Sequence, residues 1–142
     1  MINADMPAQI NEPISFFSRT YDETVGLLHD ARAYVAETQQ VEVKPYGVAG
    51  KAVAAQETTR LIARLTQIMA WLLVRKAVHA GEMSRDEALD PRHRLGGHGV
   101  CMDEGRATAL MPDSELATLM DRSRKLYIRV ARLDDMLGRG AI

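Results

Sequence analysis

The chain has 142 residues and 46% hydrophobic content, which fits a single domain over residues 1–142 and is enough to close one core. Only 5% of residues are aromatic, whereas Ala, Leu and Met are common, a balance that disfavours pleated sheet and predicts an all-α fold. Lys and Arg number 18 against 19 Asp and Glu, so a net charge of −1 excludes a general pull toward nucleic acid or acidic membrane and leaves any charge-driven partner to a local patch.

The opening MINADMPAQINEP lacks the basic-then-apolar pattern of a signal peptide, and the lone Cys101 cannot form an internal disulfide. Both point to a reducing cytoplasm. The longest unbroken apolar run, Ile68 to Val74, is far short of the roughly 20 residues a membrane helix needs, and a soluble protein is expected. A first helix follows from about Ser15 to Thr38, with Ile14, Phe17, Tyr21, Val25, Leu28 and Val35 as the apolar stripe. Arg32 falls on that stripe and needs either a carboxylate or a path to water. The segment QQVEVKPYGVAG, with a proline, two glycines and several β-branched residues, reads as a loop.

A second helix is expected from about Lys51 to Ala80, ended by Gly81. Its residues Leu61, Ile62, Leu65, Ile68, Met69, Leu72 and Leu73 form one broad apolar face, which is assigned to the core. Arg60, Arg64, Gln67, Trp71 and Arg75 form another stripe, stepping by three and four residues, with the only tryptophan near its middle. Two readings of that stripe stand side by side. Either it fills a second packing surface, or it faces a partner, since an aromatic flanked by arginines is the composition enriched in interface hot spots.

Ser84-Arg85-Asp86-Glu87 has the form in which a serine caps a short helix, here about Arg85 to Leu89. From Asp90 to Met111 four glycines and no sustained period predict a long flexible loop. A third helix starts at Asp113 or Ser114 and runs to about Leu137. Its residues Leu116, Leu119, Ser123, Leu126, Val130, Leu133 and Leu137 make a straight seam against another helix, in this chain or in a second copy. Three long amphipathic helices with two connections predict a three-helix bundle. Asp134 lies on the inward side of the third helix beside Tyr127, where a carboxylate needs a partner. An ion pair with Arg60, Arg64 or Arg75 is expected, with Arg64 the candidate taken forward.

The chemistry of a catalytic or metal site is mostly missing from this sequence. His79, His93, His98 and Cys101 match no zinc spacing, and there is no second cysteine. LGGHG lacks the strand, lysine and distal acid of a phosphate-binding loop. Cys101 near a histidine on a glycine-rich loop lacks the fixed orientation that nucleophilic catalysis requires. No enzyme and no cofactor are expected. Arg122, Lys125, Arg129 and Arg132 form a basic stripe on the third helix, suited to phosphate or to an acidic protein surface. Asp121 and Asp135 balance it, and no helix-turn-helix signature turns it into a DNA reader.

The blocks YDETVGLLHDARAY, ETTRLIARLTQIMAWLLVRKAVHAGE and KLYIRVARLDDML, above all Arg64-Leu65, Trp71-Leu72-Leu73 and Gly81-Glu82, resemble the DUF1465 family of alphaproteobacterial RcdA-like proteins, regulators of CtrA degradation. The resemblance covers about Phe17 to Leu137 and leaves out the loops. It implies a three-helix, homodimeric, non-catalytic adaptor of cell-cycle proteolysis, recruited in the cytoplasm to a cell pole. The partners it implies are the ClpXP protease, a CtrA-like response regulator and other clients, a CpdR-like response regulator and a PopA-like cyclic-di-GMP effector. The resemblance does not say which residues dock; from the two helix stripes, Arg60, Arg64, Gln67, Trp71, Arg75, Arg122, Lys125, Arg129 and Arg132 are the candidate partner-binding residues. A DNA-binding or transcription-linked role through the basic stripe is the alternative.

Overall fold

The computed structural model describes residues 6–103, 105 and 111–140, with side chains from residue 16 onward. Three long helices carry the fold: α1 (Met6–Ala33), α3 (Gly47–His79) and α6 (Glu115–Gly138), with α2 (Gln39–Val43), α4 (Arg85–Ala88) and α5 (His98–Cys101) as short pieces between them. Each long helix packs against the other two, giving an all-α bundle. Among the described residues no helix is long and apolar enough to cross a membrane.

Helix α1 begins well before Ser15, and its core stripe is displaced by one residue from the expected one. Thr20, Thr24, Leu27, Ala31 and Tyr34 are buried, whereas Val35 is 44% exposed. Threonine is eligible for this face because its hydroxyl bonds back to its own helix: Thr20 Oγ1 donates to Phe16 O at 3.0 Å and Thr24 Oγ1 to Thr20 O at 2.7 Å. Only the methyl is then left to pack. Arg32 is exposed, at the rim of a groove, so it takes the path to water.

The expected loop after the first helix is largely helical. A π turn at Tyr34–Thr38 leads into α2, then a 3-10 turn at Lys44–Tyr46. Gly47, at φ 65° and ψ −167°, turns the chain into α3 in a conformation that a side chain would strain. Helix α2 carries Glu42, whose carboxylate accepts from Tyr34 Oη at 2.8 Å and from the Glu115 and Leu116 amides at 2.8 and 3.3 Å. Those amides open α6, whose first turn is also capped by Ser114 Oγ, accepting from Ala117 N at 3.0 Å. Burial, together with the bond to Glu42, pushes the Tyr34 phenol above its ordinary range. Glu42→Ala is expected to lower stability by about 1–2 kcal/mol, the usual scale for a lost helix cap, in urea unfolding. An unchanged midpoint would mean that water replaces the carboxylate.

The end of α3 follows the expected signal. Gly81 has φ 77°, the Glu82 amide donates to Ala77 O at 2.9 Å and the Gly81 amide to Val78 O at 3.1 Å, a Schellman closure. Ser84 Oγ then caps α4 by accepting from Glu87 N at 3.0 Å.

The contacts between helices give their directions. Arg64 meets Met120 and Ser123, and Trp71 meets Asp134, so α3 and α6 run parallel. Glu23 pairs with Arg129 and Asp30 with Arg122, so α1 runs against α6. Parallel neighbours need a connection that travels back along their full length. Residues 91–103 do this, placing Arg94 beside Asp134, Gly96 beside Tyr127 and Cys101 beside Arg64. The long loop expected here therefore carries order, including a 3-10 turn at Pro91–His93 and helix α5. Its residues 104 and 106–110 lie outside the described ones.

Candidate interaction surfaces

The arginine and tryptophan stripe of α3 is covered by the chain itself. Arg60 Nε donates to Val100 O at 3.1 Å, and Arg64 Nε to Cys101 O at 2.7 Å. Arg64 Nη2 reaches Asp103 O, and Nη1 bonds Met120 O at 3.0 Å and Ser123 Oγ at 3.2 Å. From α6, Arg124 Nε takes Met102 O at 2.8 Å. Four consecutive carbonyls, of residues 100 to 103, are thus held by three guanidinium groups. A turn further along α3, the side chain of Gln67 packs under Gly96 and Gly97, close enough to crowd a Cβ at either position.

Arg64 is fully buried, and among the described residues it has no carboxylate on its guanidinium; carbonyl dipoles answer its charge. Burial, with repulsion from Arg60, pushes its pKa down to about 10, which still leaves it charged at neutral pH. Arg60 is itself tied to Glu57, a carboxylate only 1% exposed, at 2.7 Å.

Trp71 is 2% exposed, and its Nε1 donates to Asp134 Oδ1 at 2.9 Å. The same oxygen accepts from Arg94 Nε at 2.8 Å, while Arg94 Nη2 bonds Asp134 O at 2.9 Å. The expected pair of Asp134 with Arg64 is therefore corrected: the partner is Arg94, brought by the returning segment, and Arg64 is engaged about two turns away. Trp71 and Arg64 are likewise corrected as partner-facing residues, because neither reaches the surface of this chain. Arg75 stays half-buried, its guanidinium 5.5 Å from the centre of the Trp71 ring.

The face of α3 assigned to the core is wider in sequence than in space. Leu61, Leu65, Ile68 and Leu72 are buried, but Ile62 is 51% and Leu73 49% exposed. Ile62 borders an apolar groove of about 350 Å³ between α1 and α3, lined also by Leu28, Ala31, Val35 and Leu65. This is an exposed apolar surface.

On α6 the basic stripe is largely paired. Arg122 meets Asp30 at 2.9 Å, Arg129 meets Glu23 at 2.6 Å and Lys125 meets Asp121 at 2.9 Å. Arg132 is exposed, with no ion pair among the described residues. These carboxylates reduce the field that a nucleic-acid backbone would feel.

The histidines and the cysteine do not converge. His98 stands edge-on to Tyr127, with ring centres 5.9 Å apart, and Cys101 is buried, its thiol pushed up by burial and so away from the reactive thiolate. Tyr127 donates to Gly96 O at 2.6 Å, and burial moves its phenol up to about 12. Among the described residues no three His, Cys, Asp or Glu side chains are grouped to hold a metal ion.

Sequence reasoning missed Glu42, Glu57, Arg94 and Arg124. Glu57 had a local signal, three residues before Arg60 on one helix face. The others are joined to their partners only by the tertiary path.

Comparison with known proteins fits this architecture. The crystal structure of RcdA from Caulobacter crescentus CB15 aligns with 29% sequence identity and a TM-score of 0.63, over 85% of this chain and 89% of that chain. No curated protein matches the sequence. The family described as "Protein of unknown function (DUF1465)" matches residues 11–141, and the chain belongs to that family.

Proposed function

We propose that this chain is a non-catalytic, RcdA-like adaptor that helps deliver a CtrA-like response regulator and other clients to the ClpXP protease. The observation that carries this reading is the correspondence with RcdA over most of both chains, at 29% identity. The way polar chemistry is spent supports it. Arg64, Asp134 and Trp71 are consumed in holding the fold, which leaves binding surfaces as the chain's means of action. CpdR-like and PopA-like proteins are its companions on this reading, and the exposed members of the α6 stripe, with Arg132 the one without an ion pair among the described residues, are its polar docking candidates. The DNA-binding alternative loses ground to the carboxylates that already pair with Arg122, Lys125 and Arg129.

The adaptor acts as a homodimer, closed over the apolar groove at Leu28, Val35 and Ile62. Ile62→Glu is expected to leave helix content unchanged, since the side chain is half-exposed, and to convert the dimer to monomer in sedimentation velocity. A variant that remains dimeric would place the self-contact elsewhere, and a monomeric parent protein would remove it.

Reconstituted ClpXP with the cognate CtrA-like regulator and active companions tests the function. Client loss should speed up when this chain is added. An unchanged rate, with every companion shown to be active, would assign the bundle another client or another task.

A further inference from the structure

Two separate hollows lie between α1 and α3. The one at Leu28, Val35 and Ile62 is almost wholly apolar. The other, toward the end of α3, is a cavity of about 260 Å³ with an apolar floor and charged walls. Phe17 and Leu72 form the floor, and Phe17 stands edge-on to Trp71 with ring centres 5.8 Å apart. Lys76 Nζ sits 4.5 Å from the centre of the Tyr21 ring, which holds the ammonium at the rim. Asp22 and His79 complete the wall.

Arg75 gives this cavity its direction. Among the described residues its Nε is buried with no hydrogen-bond partner, and its guanidinium is held against Trp71. Burial lowers its pKa, with the charge of Asp134 opposing that effect. Among the described lining residues two cations, Arg75 and Lys76, face one carboxylate, Asp22, so the wall favours an anion. The volume lies below the roughly 300–1,000 Å³ usual for small-molecule sites, and the cavity suits a side chain of a larger partner better than a cofactor.

We propose that this cavity between α1 and α3 docks a short segment of a partner protein in which an apolar side chain is flanked by side-chain carboxylates. The apolar group fills the space over Phe17 and Leu72, and a carboxylate meets Arg75 and Lys76. This deepens the adaptor reading and rests on it, by giving the chain a defined class of peptide to recognise.

The test is a titration with a synthetic decapeptide carrying a central Phe-Leu pair flanked by glutamates, read by peptide anisotropy and by emission of the single tryptophan, which adjoins the floor. Binding should change the Trp71 emission and weaken as salt is raised. Lys76→Glu, at an exposed position, should weaken it about tenfold, and Ser18→Phe, which fills the cavity from its exposed edge, should abolish it. Three results would overturn the site: no binding of this peptide, equal binding when its glutamates are replaced by lysines, or undiminished binding to both variants. Loss of self-association in either variant would overturn it too, by assigning the cavity to the contact between two copies. No protease is present, so failure of the site leaves the degradation assay to judge the adaptor reading, and failure of that assay leaves the peptide result intact.

Discussion

Arg64→Ala is expected to cost about 4 kcal/mol or more, a large part of the roughly 5–15 kcal/mol that holds a domain of ordinary stability. The guanidinium is fully buried and donates to Cys101 O, Asp103 O, Met120 O and Ser123 Oγ. Truncation takes the donor from all of these acceptors and adds a cavity. Hydrogen bonds to a charged group contribute about 1.5–3 kcal/mol each, less the cost of keeping the charge buried. Arg64→Met separates the two parts of the loss. It fills most of the volume without the donors, so a smaller but still clear loss, on the order of 2 kcal/mol, is expected from the orphaned carbonyls alone. Urea unfolding gives the magnitudes, and amide exchange gives the place. The bonds of Cys101 N to Gly97 O and Met102 N to His98 O should exchange faster in both variants. A destabilisation under 1 kcal/mol, with α5 still protected, would mean that the returning segment is held by something other than this arginine.

Trp71→Ala should cost roughly 3–5 kcal/mol, the range for removing a large aromatic from a core. Loss of the indole opens the junction of Phe17, Leu72 and Arg75, and takes one donor from Asp134 Oδ1. Trp71→Phe keeps much of the volume and removes the donor, so its cost should fall to about 1–2 kcal/mol, because Arg94 still holds the carboxylate. The pattern distinguishes a core residue from an interface anchor. A core tryptophan lowers the unfolding midpoint at every protein concentration, whereas an anchor lowers it only where association matters.

The sequence made parts of this fold plain. Steps of three and four from Leu116 to Val130 are the buried line of α6, and Ser114, Ser84 and Gly81 stand where their cap chemistry places them. In α1 the phase was lost because Thr20 and Thr24 count as polar by composition, although a back-bonded threonine presents mainly a methyl group. The stripe from Arg60 to Arg75 was visible, but its cover was not. Residues 91–103 have no apolar period, and apart from the Asp103 carboxylate near Arg60 what they offer the arginines is backbone carbonyl, which every residue has. Spacing on the wheel likewise could not choose among arginines for Asp134, since the choice depends on where the chain returns, and it returns with Arg94. The apolar face of α3 was read too broadly for a related reason. A wheel shows that Ile62 and Leu73 adjoin the core, while their half-exposure depends on how far α1 and α6 wrap around.

The surroundings of Trp71 in the isolated protomer test the central claim, that the arginine and tryptophan stripe belongs to the inside of this chain. The measurement is the emission maximum and acrylamide quenching of the single tryptophan, followed as the protein, with Ile62→Glu to disfavour association, is diluted until sedimentation shows only monomer. A buried spectrum and weak quenching that persist in the folded monomer are the predicted result. A red-shifted, readily quenched tryptophan in a monomer that keeps its helix content would contradict the account and return Trp71 and its arginines to a surface made for a partner.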